Sequence, residues 1–419
     1  MYFVDHIGGF DLNVTTIISV LAALSGFFAL RHKIRFCFLD LCVLLFLFSV
    51  FYSDANHGDP KLGLYVFLEA LASHLFPYMI GRLLIEQTRL RTEFAITFVL
   101  CLALIGVVSV VEYGVSFNIF QVATQKISHQ YYGWIRQTRW GFGRIAGPYG
   151  HAIVAGMVFS IGLLLQLWLV GSKNWRSPFR GFRLLKMRKM PTYVTGVVVL
   201  GLFMTQSRGP WLGCAFGLIV ASIGFAKNRR RAAVFAISGF VVAVLVTGIF
   251  LTKYTDTSVK TSDEDQQNAE YRRNLIPLYE PLIEKGGLWG WGTPTLVNHG
   301  VLTWIPGHDS IDNEYIKRAM TQGYFGISLF ILMFCVAIVN LIRKCIAFES
   351  REDILFAYCM IGAIISMAFT LTTVSLIDPM TEILFLFLGW SQSVVATKVM
   401  ETSAAPVAVQ PFVFERVFV

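Results

Sequence analysis

A chain of 419 residues that is 55% hydrophobic and only 15% charged, with a mean hydropathy of +0.61, is too apolar for a water-soluble domain. The net charge of +9 invites a nucleic-acid partner, but the positive residues sit in short blocks between apolar runs, and that distribution excludes nucleic acid in favour of membrane topology. The seven cysteines fall in apolar runs or, for Cys345, in a short basic segment, so neither a disulfide framework nor a cysteine metal cluster is expected.

A bilayer crossing needs about 20 apolar residues, and on that measure the sequence predicts an all-α, polytopic integral membrane protein of about eleven (ten to twelve) transmembrane helices. They lie near 14–30, 36–52, 62–84, 94–112, 152–170, 193–207, 210–226, 232–251, 322–342, 354–374 and 383–397. The start of the chain lacks the pattern of a cleavable signal peptide, so the first run is expected to stay as an anchor. The third run carries Glu69, His74 and Pro77 and is expected to be bent or re-entrant, and Glu112 ends the fourth. Three basic blocks, Arg31–Arg35, Gly171–Pro191 and Lys227–Arg231, fall on one side of the alternating spans, which makes that side cytoplasmic. The organisation expected is spans one to eight over 1–251, a large periplasmic loop with amphipathic helices over 252–310, spans nine to eleven over 311–397, and a cytoplasmic tail over 398–419.

The first unusual loop is Gly114–Gly150, where Lys126, Arg136, Arg139 and Arg144 stand among Tyr131, Tyr132, Trp134 and Trp140. Trp and Tyr favour the headgroup level, which predicts an interfacial helix. Arg144-Ile-Ala-Gly-Pro-Tyr-Gly-His151 reads as a tight exposed turn, and an Arg there, on the face depleted of positive charge, points to an anionic ligand. The next exception is Gln206-Ser-Arg-Gly-Pro-Trp211, a minimal turn between two spans. Pro210 suits a first helical turn because its missing N–H has no intrahelical partner there. Arg208 is thereby placed at a helix N-terminus, beside free N–H groups and a partial positive dipole.

In the long polar loop, Ser262-Asp-Glu-Asp-Gln266 has a helix-start signature. Glu270–Ile283 follows as an amphipathic stretch, broken or bent at Pro277 and Pro281, whose Leu275, Leu278, Tyr279 and Leu282 are expected to rest on the bilayer surface. It also carries Arg272 and Arg273. Gly286-Gly-Leu-Trp-Gly-Trp-Gly292 offers Trp289 and Trp291, either as faces for stacking on sugar rings or as interfacial anchors. The loop closes with His308–Tyr315, where Asp309 or Ser310 is expected to cap the helix that leads into the ninth span.

Ser207-Arg-Gly209, Tyr271-Arg272, Gly290-Trp-Gly292, Asp312-Asn-Glu-Tyr315 and Gly323-Tyr-Phe-Gly326, in that order and topology, make the chain similar to the O-antigen ligase superfamily. Its members attach O-antigen to lipid A–core or polymerise O-antigen, capsule and exopolysaccharide. The resemblance covers about residues 144–326 and implies a C-type glycosyltransferase-like fold in the bacterial inner membrane. It implies a glycan donor on undecaprenyl diphosphate, a glycan or lipid A–core acceptor, membrane lipids as surroundings, no nucleic acid, no cofactor and no metal. Family ligases carry His-Asn where this chain has Asp312-Asn313, with His308 four residues earlier, so the polymerase reading is preferred to the ligase reading.

The residues fit that chemistry on their own terms. Arg208, Arg272 and Arg144 suit a diphosphate, because guanidinium groups hold phosphate oxygens in a permanently charged fork. His308 and Asp312, spaced i, i+4, compete for the role of proton acceptor from the acceptor hydroxyl, the other orienting it. Trp289, Trp291, Asn313 and Tyr315 are the candidates for glycan contact. A flippase or transporter of the same lipid is the competing class. It should show repeated halves and polar groups at the midplane, whereas the sequence shows no internal repeat and its charged residues concentrate at one face.

Overall fold

The computed structural model describes residues 4–7, 10–33, 35–57, 60–128, 137–175, 189–239, 264–293, 311–376 and 379–401. A two-stranded antiparallel hairpin, β1 (Val4–Ile7) and β2 (Phe10–Asn13), leads into α1 (Val14–Leu30) and α2 (Phe38–His57). Then come α3 (Pro60–Ala70), a π-helical turn (Leu71–Leu75), α4 (Phe76–Leu83), α5 (Arg91–Val115) and α6 (Ile119–Ser128). A second small hairpin, β3 (Thr138–Arg139) and β4 (Phe142–Gly143), precedes α7 (Ala152–Gly171), α8 (Met190–Met204) and α9 (Arg208–Phe225). After a helical stretch over 229–239, the described chain continues with α10 (Glu264–Gly286), α11 (Glu314–Ala347), α12 (Arg351–Thr370) and α13 (Met380–Glu401).

Among the described residues, seven helices are long and apolar enough to cross a membrane, and three shorter ones are apolar as well. Helices are the form expected in hydrocarbon, where every backbone N–H and C=O must be satisfied within the segment. The third expected span is one helical run, Gly63–Leu83, within which a π turn replaces an α turn between α3 and α4 and buries His74. The eighth expected span, 232–251, lies mostly outside the described residues.

Helix α7 is buried along nearly its whole length and stands at the centre, with α8, α9 and α12 packed around it. Small residues let α9 and α12 approach backbone to backbone: a Cβ at Gly217 would lie 2.7 Å from Gly362 O, and one at Gly213 would lie 2.6 Å from Ser366 O. At one end of the bundle, ion pairs fasten the helices. Arg91 bonds Glu86 and Asp353, Trp390 donates to Glu86, and Arg82 and Tyr78 converge on Asp40. All seven cysteines are free thiols. The opposite end gathers the first turn of α7, the first turn of α9, the end of α12 and the start of α11.

Candidate functional site

The site end is built from a turn that the sequence marks with arginines. Strands β3 and β4 meet at Trp140 and Gly141, both at positive φ (55° and 81°), the geometry that a tight hairpin requires. The hairpin aims two guanidinium groups at the Thr205–Ser207 link between α8 and α9. Arg139 Nη1 donates to Gln206 O at 2.8 Å. Arg144 donates from Nη2 to Ser207 Oγ (2.8 Å), from Nε to Thr205 O (3.2 Å) and from Nη1 to Gln137 Oε1 (2.6 Å). Burial and then the Arg139 charge push the Arg144 pKa down to about 10, so it remains a cation at neutral pH. All three of its nitrogens bond to protein. Arg144 thus braces the turn that carries Arg208 and adds positive charge beside it, with one further N–H on each Nη.

Glu112, at the end of α5, holds the other side of that turn. Its Oε1 accepts from Ala146 N (2.9 Å) and Asn118 Nδ2 (2.7 Å), and its Oε2 accepts from Gly147 N (3.0 Å). One buried carboxylate thus fixes the Arg144–Gly150 segment to a spanning helix.

Ser207 is the N-cap of α9, but its hydroxyl donates to Thr205 O (3.1 Å) and accepts from Arg144 instead of capping the helix. Arg208 occupies the first helical position and is exposed, and Pro210 falls in the first turn as expected. The preceding Gln206 has a left-handed backbone, φ 48°, which a non-glycine residue seldom adopts. Its side chain is fully buried, and among the described residues neither the amide oxygen nor the amide nitrogen has a hydrogen-bond partner.

Helix α11 begins at Glu314. Asn313, rather than Asp309 or Ser310, is its cap: Oδ1 accepts from Tyr315 N (2.9 Å) and Ile316 N (3.2 Å), and Nδ2 donates to Thr372 O (3.1 Å). Tyr315 OH donates to Ala368 O at 2.8 Å. The polar atoms of Asn313 and Tyr315, expected to meet glycan, are thus engaged in joining α11 to α12. Glu314 turns away from the site as well. It is fully buried and accepts from Arg318 Nε at 2.5 Å and from Leu376 N at 2.6 Å. Asp312 is half-buried at the site end.

His151 joins these parts. It is the N-cap of α7, where Nδ1 accepts from Ile153 N at 3.2 Å. Burial and then the Arg144 charge lower its pKa, while the Asp312 carboxylate acts in the opposite direction. The ring therefore lies in the fields of both the turn and the start of α11. Sequence reasoning placed His151 at the end of the Arg144 segment without giving it a role. The signal was there: a polar, cap-forming residue immediately before a long apolar run.

The remaining motifs form a joint. Gly323 breaks α11 with φ 64° and ψ −165°, and the groups freed by the break are taken up by the Gly287–Gly292 turn. Trp291 N donates to Met320 O (2.8 Å) and Gly292 N to Thr321 O (2.9 Å), while Tyr324 N and Phe325 N donate to Gly287 O (3.2 Å) and Leu288 O (3.0 Å). Ser53 Oγ also donates to Thr321 O, and Thr293 N to Asp54 Oδ1, each at 2.5 Å, which ties α2 to the joint. Trp291 donates its indole N–H to Leu282 O (2.8 Å), and Trp289 packs on Tyr52 and Phe325.

Helix α10 runs through Pro277 and Pro281 as one helix and is not broken there. Its Leu275, Tyr279 and Leu282 are buried with Ile311, Ile316 and Met320, so this face rests on α11 and not on the bilayer. Arg272 lies on α10, but its side chain, like all of His308, is outside the described residues. Among the described residues there is no group of three or more His, Cys, Asp or Glu residues able to hold a metal ion.

No curated protein matches the sequence. Residues 193–331 match the family model Wzy_C, described as O-antigen ligase. That stretch runs from α8 through the Gln206–Arg208 turn, α10 and Asp312 to the break at Gly323 and its splice. The chain is a multi-pass membrane protein that carries an O-antigen ligase domain of the Wzy_C family.

Proposed function

We propose that this protein transfers a glycan from undecaprenyl diphosphate to an acceptor glycan at the periplasmic face of the bacterial inner membrane, acting as a polysaccharide polymerase. The observation that carries this reading is that the end of α12 gathers two starts: Gly209, next to the exposed Arg208 at the start of α9, lies against Thr373, and Asn313, next to the half-buried Asp312 just before α11, donates to Thr372 O. A glycosyl diphosphate already holds its leaving group. The enzyme has only to stabilise the charge that grows on phosphate and to take a proton from the incoming hydroxyl.

Arg208 and the first N–H groups of α9 serve the diphosphate, with Arg272 as the second guanidinium. Asp312 or His308 receives the hydroxyl proton. The acceptor oxygen bonds to the anomeric carbon as the bond to phosphate breaks, and the bonding pair leaves with the diphosphate. Attack from the opposite face inverts the centre, and no covalent intermediate or metal is required. Ligation to lipid A–core is the second reading, favoured by the description of the matching family model.

Purified protein in lipid nanodiscs, given a lipid-linked repeat unit, should yield a ladder of lengthening chains that persists in EDTA. A single transfer onto lipid A–core would make it a ligase. Loss of activity on chelation, restored by Mg²⁺ or Mn²⁺, would end the metal-free mechanism. No transfer to either acceptor would end the enzyme reading.

A further inference from the structure

The reaction proposed above needs a donor aimed at the oxygen that leaves with the diphosphate. Arg144 spends three of its five N–H donors on Gln137, Thr205 and Ser207 and so serves first to hold the turn. His151 is a better fit. We propose that His151 is a catalytic residue of the transfer, its Nε2–H donating a hydrogen bond to the phosphate oxygen that leaves the anomeric carbon.

Packing places it there. Ser160 on α7 donates to Pro210 O on α9 at 3.1 Å, and Gly156 of α7 lies against Pro210 and Thr205, so the start of α9 stands beside α7 a turn beyond His151, and Arg144, bonded to Thr205 and Ser207, acts electrostatically on the His151 ring. Gly209 lies against Thr373, and Asn313 donates to Thr372 O, so the end of α12 brings the start of α11 to the same spot. The half-buried ring of His151 thus sits where the arginine-braced turn faces Asp312.

The hydrogen bonding fixes what the ring can do. Because Nδ1 accepts the Ile153 N–H, the proton of the uncharged imidazole is on Nε2. Among the described residues no protein atom accepts from Nε2, which leaves a donor open to a ligand. Burial and the Arg144 charge oppose a second proton, so the ring stays uncharged at neutral pH despite Asp312. An uncharged donor held by a helix cap costs no reorganisation as negative charge grows on the leaving oxygen. His151 keeps its proton throughout. The hydroxyl proton goes to Asp312 or His308, and the electron pair of the broken bond goes to the diphosphate.

The inference rests on the donor being a lipid diphosphate, and the experiment separates the two. His151→Ser and His151→Asn both keep an oxygen that caps Ile153 N–H, so α7 should fold in each. Serine removes the donor that reaches the site, while asparagine keeps an N–H₂ group. With the lipid-linked repeat unit, His151→Ser should lower kcat by about 100-fold, leave the acceptor KM and the acidic limb of the pH–rate profile in place, and be partly rescued by His151→Asn. Binding of undecaprenyl diphosphate alone, by microscale thermophoresis, should weaken about tenfold in His151→Ser. A serine variant within threefold of wild type in turnover and in binding overturns the proposal. So does loss of the acidic limb, which would make His151 the base. A drop in unfolding temperature parallel to the drop in rate would make it a structural cap only. If wild type transfers nothing, the reading of the reaction fails, and the binding arm still decides: a tenfold loss supports His151 as a diphosphate ligand, and equal binding overturns it.

Discussion

Two turns in this protein break helical geometry, and they treat the broken bonds in opposite ways. At the Gly323 joint, every backbone group described as freed by the break finds a partner in the Gly287–Gly292 turn, and the positive-φ positions are glycines. At the Gln206–Arg208 turn, the left-handed residue is a glutamine, its buried amide has no partner among the described residues, and the Ser207 hydroxyl leaves the first turn of α9 without a side-chain cap. The first arrangement satisfies itself and holds shape. The second keeps strain and unspent polar groups next to an exposed cation, which is where ligand binding is usually found. Both turns fall within the stretch that matches the family model.

The comparison predicts that the joint breaks first and hardest. Gly323 occupies a φ/ψ region open almost only to glycine, and a Cβ there would lie 2.5 Å from Leu288 O. Gly323→Ala should cost about 3 kcal/mol or more in backbone strain and overlap, so most of the protein should be lost from the membrane fraction or unfold at markedly lower temperature in detergent. The same change should leave any surviving folded protein able to bind lipid diphosphate. An alanine variant with wild-type thermal stability would mean that the break in α11 is not constrained by the joint.

The second turn should behave in the reverse manner. Arg208→Ala is expected to reduce transfer by at least about 10²-fold with folded yield and unfolding temperature unchanged, because Arg208 is exposed at a helix start. Arg208→Lys should recover little, since an ammonium is a point charge and not a planar fork. Arg272→Ala should match it if the second guanidinium serves the same diphosphate. Normal turnover in the alanine variants would remove arginine from the leaving-group side of the mechanism.

What could be seen in the sequence follows the same division. Spans were legible because hydrocarbon imposes one pattern on every crossing helix, and α7, α9 and α12 lie within a few residues of where apolar runs put them. The start of α11 was misplaced because Asp309, Ser310 and Asn313 are all good caps, and the choice is made by bonds to Leu371 and Thr372 across the bundle. Local pattern contains no such information. The apolar stripe of α10 was likewise visible, but whether lipid or Ile311 and Met320 covers it is a tertiary fact. Arg144 shows the limit for site residues. A guanidinium at a turn reads the same in sequence whether its bonds go to a ligand or, as with Thr205, Gln137 and Ser207, to the protein itself.

The smallest expected effect tests whether the Gln206 amide is held in reserve. Gln206→Met keeps an unbranched side chain of similar size and removes two buried polar atoms that have no protein partner among the described residues. A buried polar group left unsatisfied costs about 1–3 kcal/mol, and replacing it by an apolar group of the same shape removes that cost. The left-handed backbone at φ 48° is unchanged by the substitution, so its strain cancels from the comparison. The methionine variant should therefore unfold at the same or a slightly higher temperature, by about 1 kcal/mol at most after the loss of any bridging water. Turnover should fall several-fold in the same protein, because the turn that presents Arg208 would have lost a group able to bond substrate or water. A variant that is both less stable and fully active would show the amide to be structural, and the contrast between the two turns would then rest on Arg208 and Ser207 alone.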